Sequence, residues 1–255
     1  MLYNRYRSTG YYSSYFPPGV KWLLIVNIAT FVVNWFAIVL FNWDPFRVFG
    51  LVPYQVLSYG FIWQVVSYMF LHGGFGHILF NMLALWMFGA DLERDWGTRQ
   101  FLKYYFYCGI AAGLCVIASG ILFGQMGART IGSSGAIFGL LLAFGVLYPD
   151  RTVLLSFLFP IKAKYFVMII GAIAFMGSFR VNTGISDIAH LGGLVFGYIY
   201  LKTGMLRAKL GYRPRRTGWF ASLHRQYQDW KVQRARRKFQ VYMRKHRTDD
   251  DRWVN

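Results

Sequence analysis

Residues 132–147 read GSSGAIFGLLLAFGVL, a polar Gly-Ser-Ser-Gly turn that runs straight into an uninterrupted apolar segment. A second junction of this kind lies downstream, where Ala189-His190-Leu191-Gly192-Gly193 sits inside another apolar run. Hydroxyl and imidazole groups are costly at membrane depth, so a histidine within such a run is a functional candidate by default. Serine and histidine together supply a nucleophile and the base that activates it. The pair points to hydrolytic chemistry carried out inside a lipid bilayer.

Composition agrees with a bilayer setting. Of 255 residues, 56% are hydrophobic and 20% aromatic, and only 15% are charged. A soluble domain carries about 25% charged residues, and its apolar residues alternate with polar faces instead of forming long blocks. The chain reads as a polytopic membrane protein. Its net charge is +18, and the excess is uneven: 16 of the 28 Lys and Arg lie from Lys202 onward, against four Asp. A basic tail directly after a hydrophobic helix follows the positive-inside rule, and we read it as topogenic or as adhering to anionic lipid, not as binding nucleic acid.

Cys108 and Cys115 fall in one apolar segment and read as small packing residues. They form neither a disulfide framework nor a metal-ligand spacing, so no metal or other cofactor is expected. Residues 1–20 contain Arg5 and Arg7 without a short apolar core and cleavage site, and read as a retained cytoplasmic leader.

Six helical spans are expected, at about Trp22–Phe41, Gly76–Ala90, Phe101–Phe123, Ser134–Tyr148, Ala163–Phe179 and Ser186–Thr203. A span needs about 20 residues, fewer where the helix starts below the surface. The second is expected to stop at the charged cluster Asp91, Glu93, Arg94 and Asp95. Residues 44–76 are too apolar for an ordinary loop and too broken by Pro45 and Pro53 for a span, which places them partly in the interface. Arg94, Arg99, Lys103, Arg151, Lys162, Lys164 and the tail fall on one side with the leader, and only Arg47, Arg129 and Arg180 on the other. Both termini are therefore expected to be cytoplasmic. The expected organisation is a leader over 1–20, an all-α membrane domain of six transmembrane helices over 21–204, and a basic cytoplasmic tail over 205–255, with Trp219–His246 expected as a basic helix on anionic lipid. No useful internal repeat is present, which weighs against a transporter built from inverted halves.

Ser134 is expected at the N-terminus of its helix, behind a turn that Gly132 and Gly135 permit, where unpaired amides face any developing negative charge. Gly135 and Gly139 form a small-residue surface, and Gly193 and Gly197 lie at i+3 and i+7 from His190. Helices with such faces approach closely, and packing these two brings hydroxyl and imidazole together. A third cluster, His72-Gly73-Gly74-Phe75-Gly76-His77-Ile78-Leu79-Phe80-Asn81, places His77 and Asn81 one turn apart on one face. Both can donate hydrogen bonds to an oxyanion, and losing one such donor typically costs roughly 3–4 kcal/mol. Interhelical polar contacts that are merely structural are worth only about 0.6 kcal/mol on average in membranes.

In order and spacing, these three clusters resemble the rhomboid family of intramembrane serine proteases. The matching pieces are His72-Gly-Gly-Phe-Gly-His77-x-x-x-Asn81, Gly132-Ser-Ser134-Gly135-Ala-x-x-Gly139 and Ala189-His190-x-Gly192-Gly193-x-x-x-Gly197, within roughly Trp63 to Thr203. The resemblance implies a rhomboid-like bundle with a partly embedded first loop. It implies Ser134 as nucleophile and His190 as general base, with His77, Asn81 and the Ser134 amide as the oxyanion site. Phe138 falls where the family stacks an aromatic on the catalytic imidazole, here without the frequent tyrosine hydroxyl. His72 is expected to brace the loop, and Glu93 and Gly97 to be structural.

The chain has Trp63-Gln64 where the family often has Trp-Arg. Asp187, three residues before His190, has no role in the family pattern and is left outside the catalytic set. By the same resemblance, substrates are single-span membrane proteins that arrive sideways from lipid. The fifth helix and the Gly177–Ser186 connection are the candidates for the gate, and a bacterial cell membrane is the expected location. The alternative is a silent relative that binds transmembrane helices without cleaving them. A channel is more remote, since no other span carries a chain of ionisable residues.

Overall fold

A computed structural model of the protein describes residues 16–155, 159–179 and 185–203. Arg5 and Arg7 of the leader, residues 180–184 of the 177–186 connection with Arg180, and the basic tail with Trp219–His246 lie outside the described residues. The described part is an apolar helical bundle. Helix α1 (Pro18–Phe41) is followed by a connecting segment with three short helices, α2 (Phe46–Phe49), α3 (Pro53–Tyr59) and α4 (Gln64–Ser67). Then α5 (Phe75–Ala84) continues through a π turn (Leu85–Gly89) into α6 (Ala90–Trp96). Helices α7 (Thr98–Phe123), α8 (Ser134–Leu147), α9 (Ala163–Gly177) and α10 (Ile185–Lys202) complete it. The stretches Pro18–Phe41, Phe75–Trp96 and Thr98–Phe123 are long and apolar enough to cross a membrane, and α8 and α9 are shorter apolar helices. Large apolar side chains such as Trp22, Phe36, Phe41, Leu122 and Met176 stand exposed around the bundle. Patches of that extent belong against lipid, and the chain is an integral membrane protein.

The charged cluster at 91–95 does not end the second long helix, contrary to expectation: the helix runs to Trp96 and stops at Gly97, whose φ of +76° disfavours any other residue. The reason is Glu93, which is only 2% exposed. Its two carboxylate oxygens accept the Gly19 and Val20 amides at 2.7 Å each, and Thr98 Oγ1 donates at 2.6 Å. A carboxylate on α6 thus supplies the cap that α1, entered through Pro17 and Pro18, has no side chain to make. The other helix limits shift by only a few residues, with α1 starting at Pro18 and α7 at Thr98.

A second departure is an antiparallel hairpin of β1 (Thr152–Leu155) and β2 (Phe159–Lys162), with Thr152 opposite Lys162 and Leu154 opposite Pro160. In a two-stranded ribbon every strand is an edge, so Pro160 is tolerated. At its base Asp150 pairs with Lys164 at 3.0 Å and Lys162 at 3.2 Å, and these lysines hold its carboxyl below the usual range.

Charges collect at the two ends as the sequence predicts. Asp91 pairs with Arg94 and Arg151, and Tyr148 donates to Asp95, at the end where Glu93 caps α1. Arg47 and Arg129 both reach Asp44 at the opposite end, 3.4 and 3.5 Å away.

Beyond the Asp44 ion pairs, the connecting segment is held by a neutral side chain. Gln64 is fully buried, donates to the Val48 carbonyl (3.1 Å) and Gln55 Oε1 (2.6 Å), and accepts the Val52 amide (3.1 Å). Trp63 Nε1 adds a bond to the same Val48 carbonyl. Both the oxygen and the nitrogen of the Gln64 amide are engaged, so a neutral residue joins Val48, Val52 and Gln55. Tyr54, Leu57, Tyr59 and Ile62 project outward from it as an exposed apolar fringe.

Candidate active site

Helix α8 opens at Ser134, with Ser133 in the N-cap position. The chain reaches that point through backbone pairing with the α1–α5 connection. Leu51 and Thr130 exchange both amide–carbonyl bonds at 3.0 and 2.8 Å, and the Gly132 amide donates to the Tyr68 carbonyl at 2.8 Å. Gly132 has φ +108°, and a Cβ there would lie 2.6 Å from His77 Nε2 and 3.6 Å from Asn81 Nδ2. Glycine is therefore required on two counts. The same geometry shows that His77 and Asn81, from α5, face the turn that carries Ser134. Among the described residues Asn81 Nδ2 is buried with no hydrogen-bond partner, a donor still available. His72 is 1% exposed and meets the His77 ring edge-on, with centroids 5.1 Å apart. It braces His77 by packing.

Helix α10 lies against α8 along the predicted small-residue faces. A Cβ on Gly193 would collide with the Gly135 carbonyl, and one on Gly139 would meet the Gly193 carbonyl oxygen at 3.3 Å. Gly197 lies against Gly139 Cα, and Tyr104 OH from α7 donates to the Gly139 carbonyl at 2.8 Å. With backbones this close, His190 Nε2 comes to 2.8 Å from Ser134 Oγ. The Phe138 ring stacks on the imidazole with centroids 4.1 Å apart and planes 2° from parallel. Ser134 and His190 are both half-buried.

The three sequence clusters therefore converge on one place. A hydroxyl meets an imidazole nitrogen at hydrogen-bonding distance, at a helix N-terminus with unpaired amides, beside two side-chain donors. Such an arrangement can activate a hydroxyl and hold an oxyanion. Two contributors were not read from the sequence. Tyr68 supplies the carbonyl that anchors Gly132, and its hydroxyl donates to the Gly109 carbonyl at 2.6 Å. Thr130 and Leu51 form the bridge that ties the segment before the turn to the α1–α5 connection. Backbone pairing between segments this far apart leaves no mark in residue type. Asp187 was set aside, yet its Oδ1 stands 3.7 Å from His190 Nδ1.

Comparison with known proteins gives a consistent picture. A model of the Rhomboid domain matches residues 59–207, more than half of the chain. The chain is 34% identical over 157 residues to rhomboid protease GluP of Bacillus subtilis, covering 62% of this chain and 29% of that protein. It is 32% identical over 160 residues to mitochondrial rhomboid protein 1 of Saccharomyces cerevisiae, covering 59% and 45%. It is 33% identical over 137 residues to putative rhomboid protease YdcA of Bacillus subtilis, covering 54% and 64%. Each match spans less than two thirds of the relative's length.

Proposed function

The chain belongs to the rhomboid family, and from that premise we propose that it is an intramembrane serine endopeptidase acting through Ser134 and His190. The observation that carries this reading is the 2.8 Å contact between Ser134 Oγ and His190 Nε2. In the proposed reaction Ser134 Oγ attacks the scissile carbonyl carbon while its proton passes to His190 Nε2. The resulting oxyanion is held by His77, Asn81 and the Ser134 amide. Collapse breaks the C–N bond, and the imidazolium returns its proton to the leaving amine. Water, deprotonated by the same imidazole, then hydrolyses the acyl-enzyme and regenerates Ser134. Relatives named as proteases support this assignment over a silent helix-binding protein.

The substrates in this reading are single-span membrane proteins whose helices unwind near the outer interface. They reach the site sideways past α9 from lipid. The protein crosses the membrane six times with both termini cytoplasmic, in a bacterial cell membrane, and the basic tail rests on anionic lipid. The asymmetry of Lys and Arg between the two ends supports that orientation.

The test is covalent labelling by a fluorophosphonate, together with cleavage of a model transmembrane substrate. We expect labelling and cleavage in the native protein, both lost in Ser134→Ala and cleavage lost in His190→Ala, with membrane insertion intact. A Ser134→Ala variant that still cleaves would overturn the dyad. Absence of labelling in the native, folded protein would favour the silent binder.

A further inference from the structure

Resting on the Ser134–His190 reading, we propose that Asp187 is a positioning residue for His190: its carboxylate, held between α9 and α10, orients the imidazole and balances the charge that His190 acquires during acylation. Three observations support it. Asp187 Oδ1 lies 3.7 Å from His190 Nδ1, on the ring edge opposite the nitrogen that meets Ser134. Hydroxyl and carboxylate therefore face the two different nitrogens of one imidazole, on two helices whose backbones touch. Phe138 covers the ring face at 4.1 Å, so the imidazole has its plane fixed by an aromatic and its remaining nitrogen facing an acid. Finally, the carboxylate has a seat: an added methyl group at Gly177, the last residue of α9, would run into it. A glycine there leaves the acid room to stay beside His190.

The chemistry follows from that placement. A neutral imidazole that accepts a proton at Nε2 must carry its own proton on Nδ1. A carboxylate facing Nδ1 favours that tautomer, and its charge opposes the one developing on the ring. Removing an acid hydrogen-bonded to such a histidine costs roughly 10⁴-fold in kcat. Here the gap exceeds hydrogen-bond length and both groups are partly exposed, with side-chain exposures of 20% for His190 and 25% for Asp187. The expected effect is therefore much smaller, about tenfold.

A competing role exists, because Asp187 also lies in the first turn of α10, where any acid favours the helix dipole. That role acts on stability and leaves turnover alone. The two separate in a kcat against KM measurement on the full chain in proteoliposomes, using a fluorogenic transmembrane peptide and normalising to the fraction titrated by fluorophosphonate. We expect Asp187→Asn and Asp187→Ala to lose kcat about equally, about tenfold, with KM within about twofold. Wild-type kcat in Asp187→Asn, whatever its melting temperature, would overturn the assignment. So would a change confined to KM.

Gly177→Ala tests the same point with the acid retained. Its added methyl should push the carboxylate away and lower kcat, and this loss should vanish in the Asp187→Asn background. Equal losses in both backgrounds would show that Gly177 acts independently of Asp187 and would overturn the proposal. Cleavage by Ser134→Ala would instead remove the dyad beneath it. A failure of Asp187 in an enzyme that Ser134→Ala inactivates leaves the dyad standing.

Discussion

Gly193 and Gly171 sit on neighbouring helices of similar apolar composition, yet their surroundings differ sharply. A Cβ on Gly193 would collide with backbone, the Gly135 carbonyl, while one on Gly171 would meet only the Leu194 side chain, at an ordinary 3.5 Å. The α8–α10 seam is backbone against backbone, with Gly135, Gly139, Gly193 and Gly197 interlocked and Tyr104 bonded across them. Helix α9 instead turns Tyr165, Met168, Ile173, Phe175 and Met176 outward and buries only Ala163, Ala174 and Gly177. Glycine is thus a structural requirement at position 193 and a minor detail at position 171. In a bilayer, where lipid is as apolar as a leucine, close packing of small residues holds helices together. The seam has that packing along its length, whereas α9 has it only where Val167 meets Gly145 and where Gly177 meets Asp187. On the proposed reading, the difference sets a closely packed dyad beside a more loosely packed helix.

The largest effect is expected from the substitution that attacks the seam. Gly193→Ala places a methyl against a carbonyl that cannot move without α8, and overpacking of this kind costs about 1–3 kcal/mol, sometimes more. Because α8 carries Ser134 and α10 carries His190, any widening also separates the dyad. We expect the melting temperature in detergent to fall and cleavage to drop at least a hundredfold. A Gly193→Ala protein with native melting and native cleavage would mean that the seam is not tight and that the contrast with α9 is false.

Next comes a change beside the seam that removes chemistry but not packing. Asn81→Ala deletes a buried donor that makes no hydrogen bond to the described residues. Loss of one oxyanion donor costs about 10²–10³ in kcat, whereas loss of an unused structural amide should barely register. We expect kcat to fall within that range while the melting temperature holds. An unchanged kcat would remove Asn81 from the oxyanion site and leave His77 and the Ser134 amide to carry it.

These substitutions also show how far the sequence could be read. Ser134, His190, His77 and Asn81 stood out because polar groups inside apolar runs need a reason to be there, and the glycine spacing announced which helix faces would meet. Glu93 misled for the same cause turned around. Its charge marked a helix end, but its partners are the amides of Gly19 and Val20, more than 70 positions away, and no local pattern encodes them. The hairpin at 152–162 falls in the gap between the spans expected at 134–148 and 163–179, and its apolar run is too short to distinguish a strand from the start of a span. The segment leading into the Ser134 turn is tied down by the Leu51–Thr130 bridge, which is pure backbone. Asp187 was visible in the sequence. Its relation to His190 Nδ1 depended on how the ring is turned, and Phe138 fixes that only in three dimensions.

The smallest expected effect is the most discriminating. Gly171→Ala is the same chemical change as Gly193→Ala, one helix away, and its methyl meets one flexible side chain at contact distance. Substitutions in such surroundings usually fall within about 0.5 kcal/mol of neutral, so melting and kcat should both match the native protein. If α9 serves as the yielding wall, its influence belongs in how substrate arrives and not in the chemical step, and only KM or the choice of substrate should respond. A fall in kcat equal to that of Gly193→Ala, with stability unchanged, would show that α9 is part of the reacting centre. The line between rigid seam and yielding wall would then have to be drawn outside α9, between the bundle and the lipid.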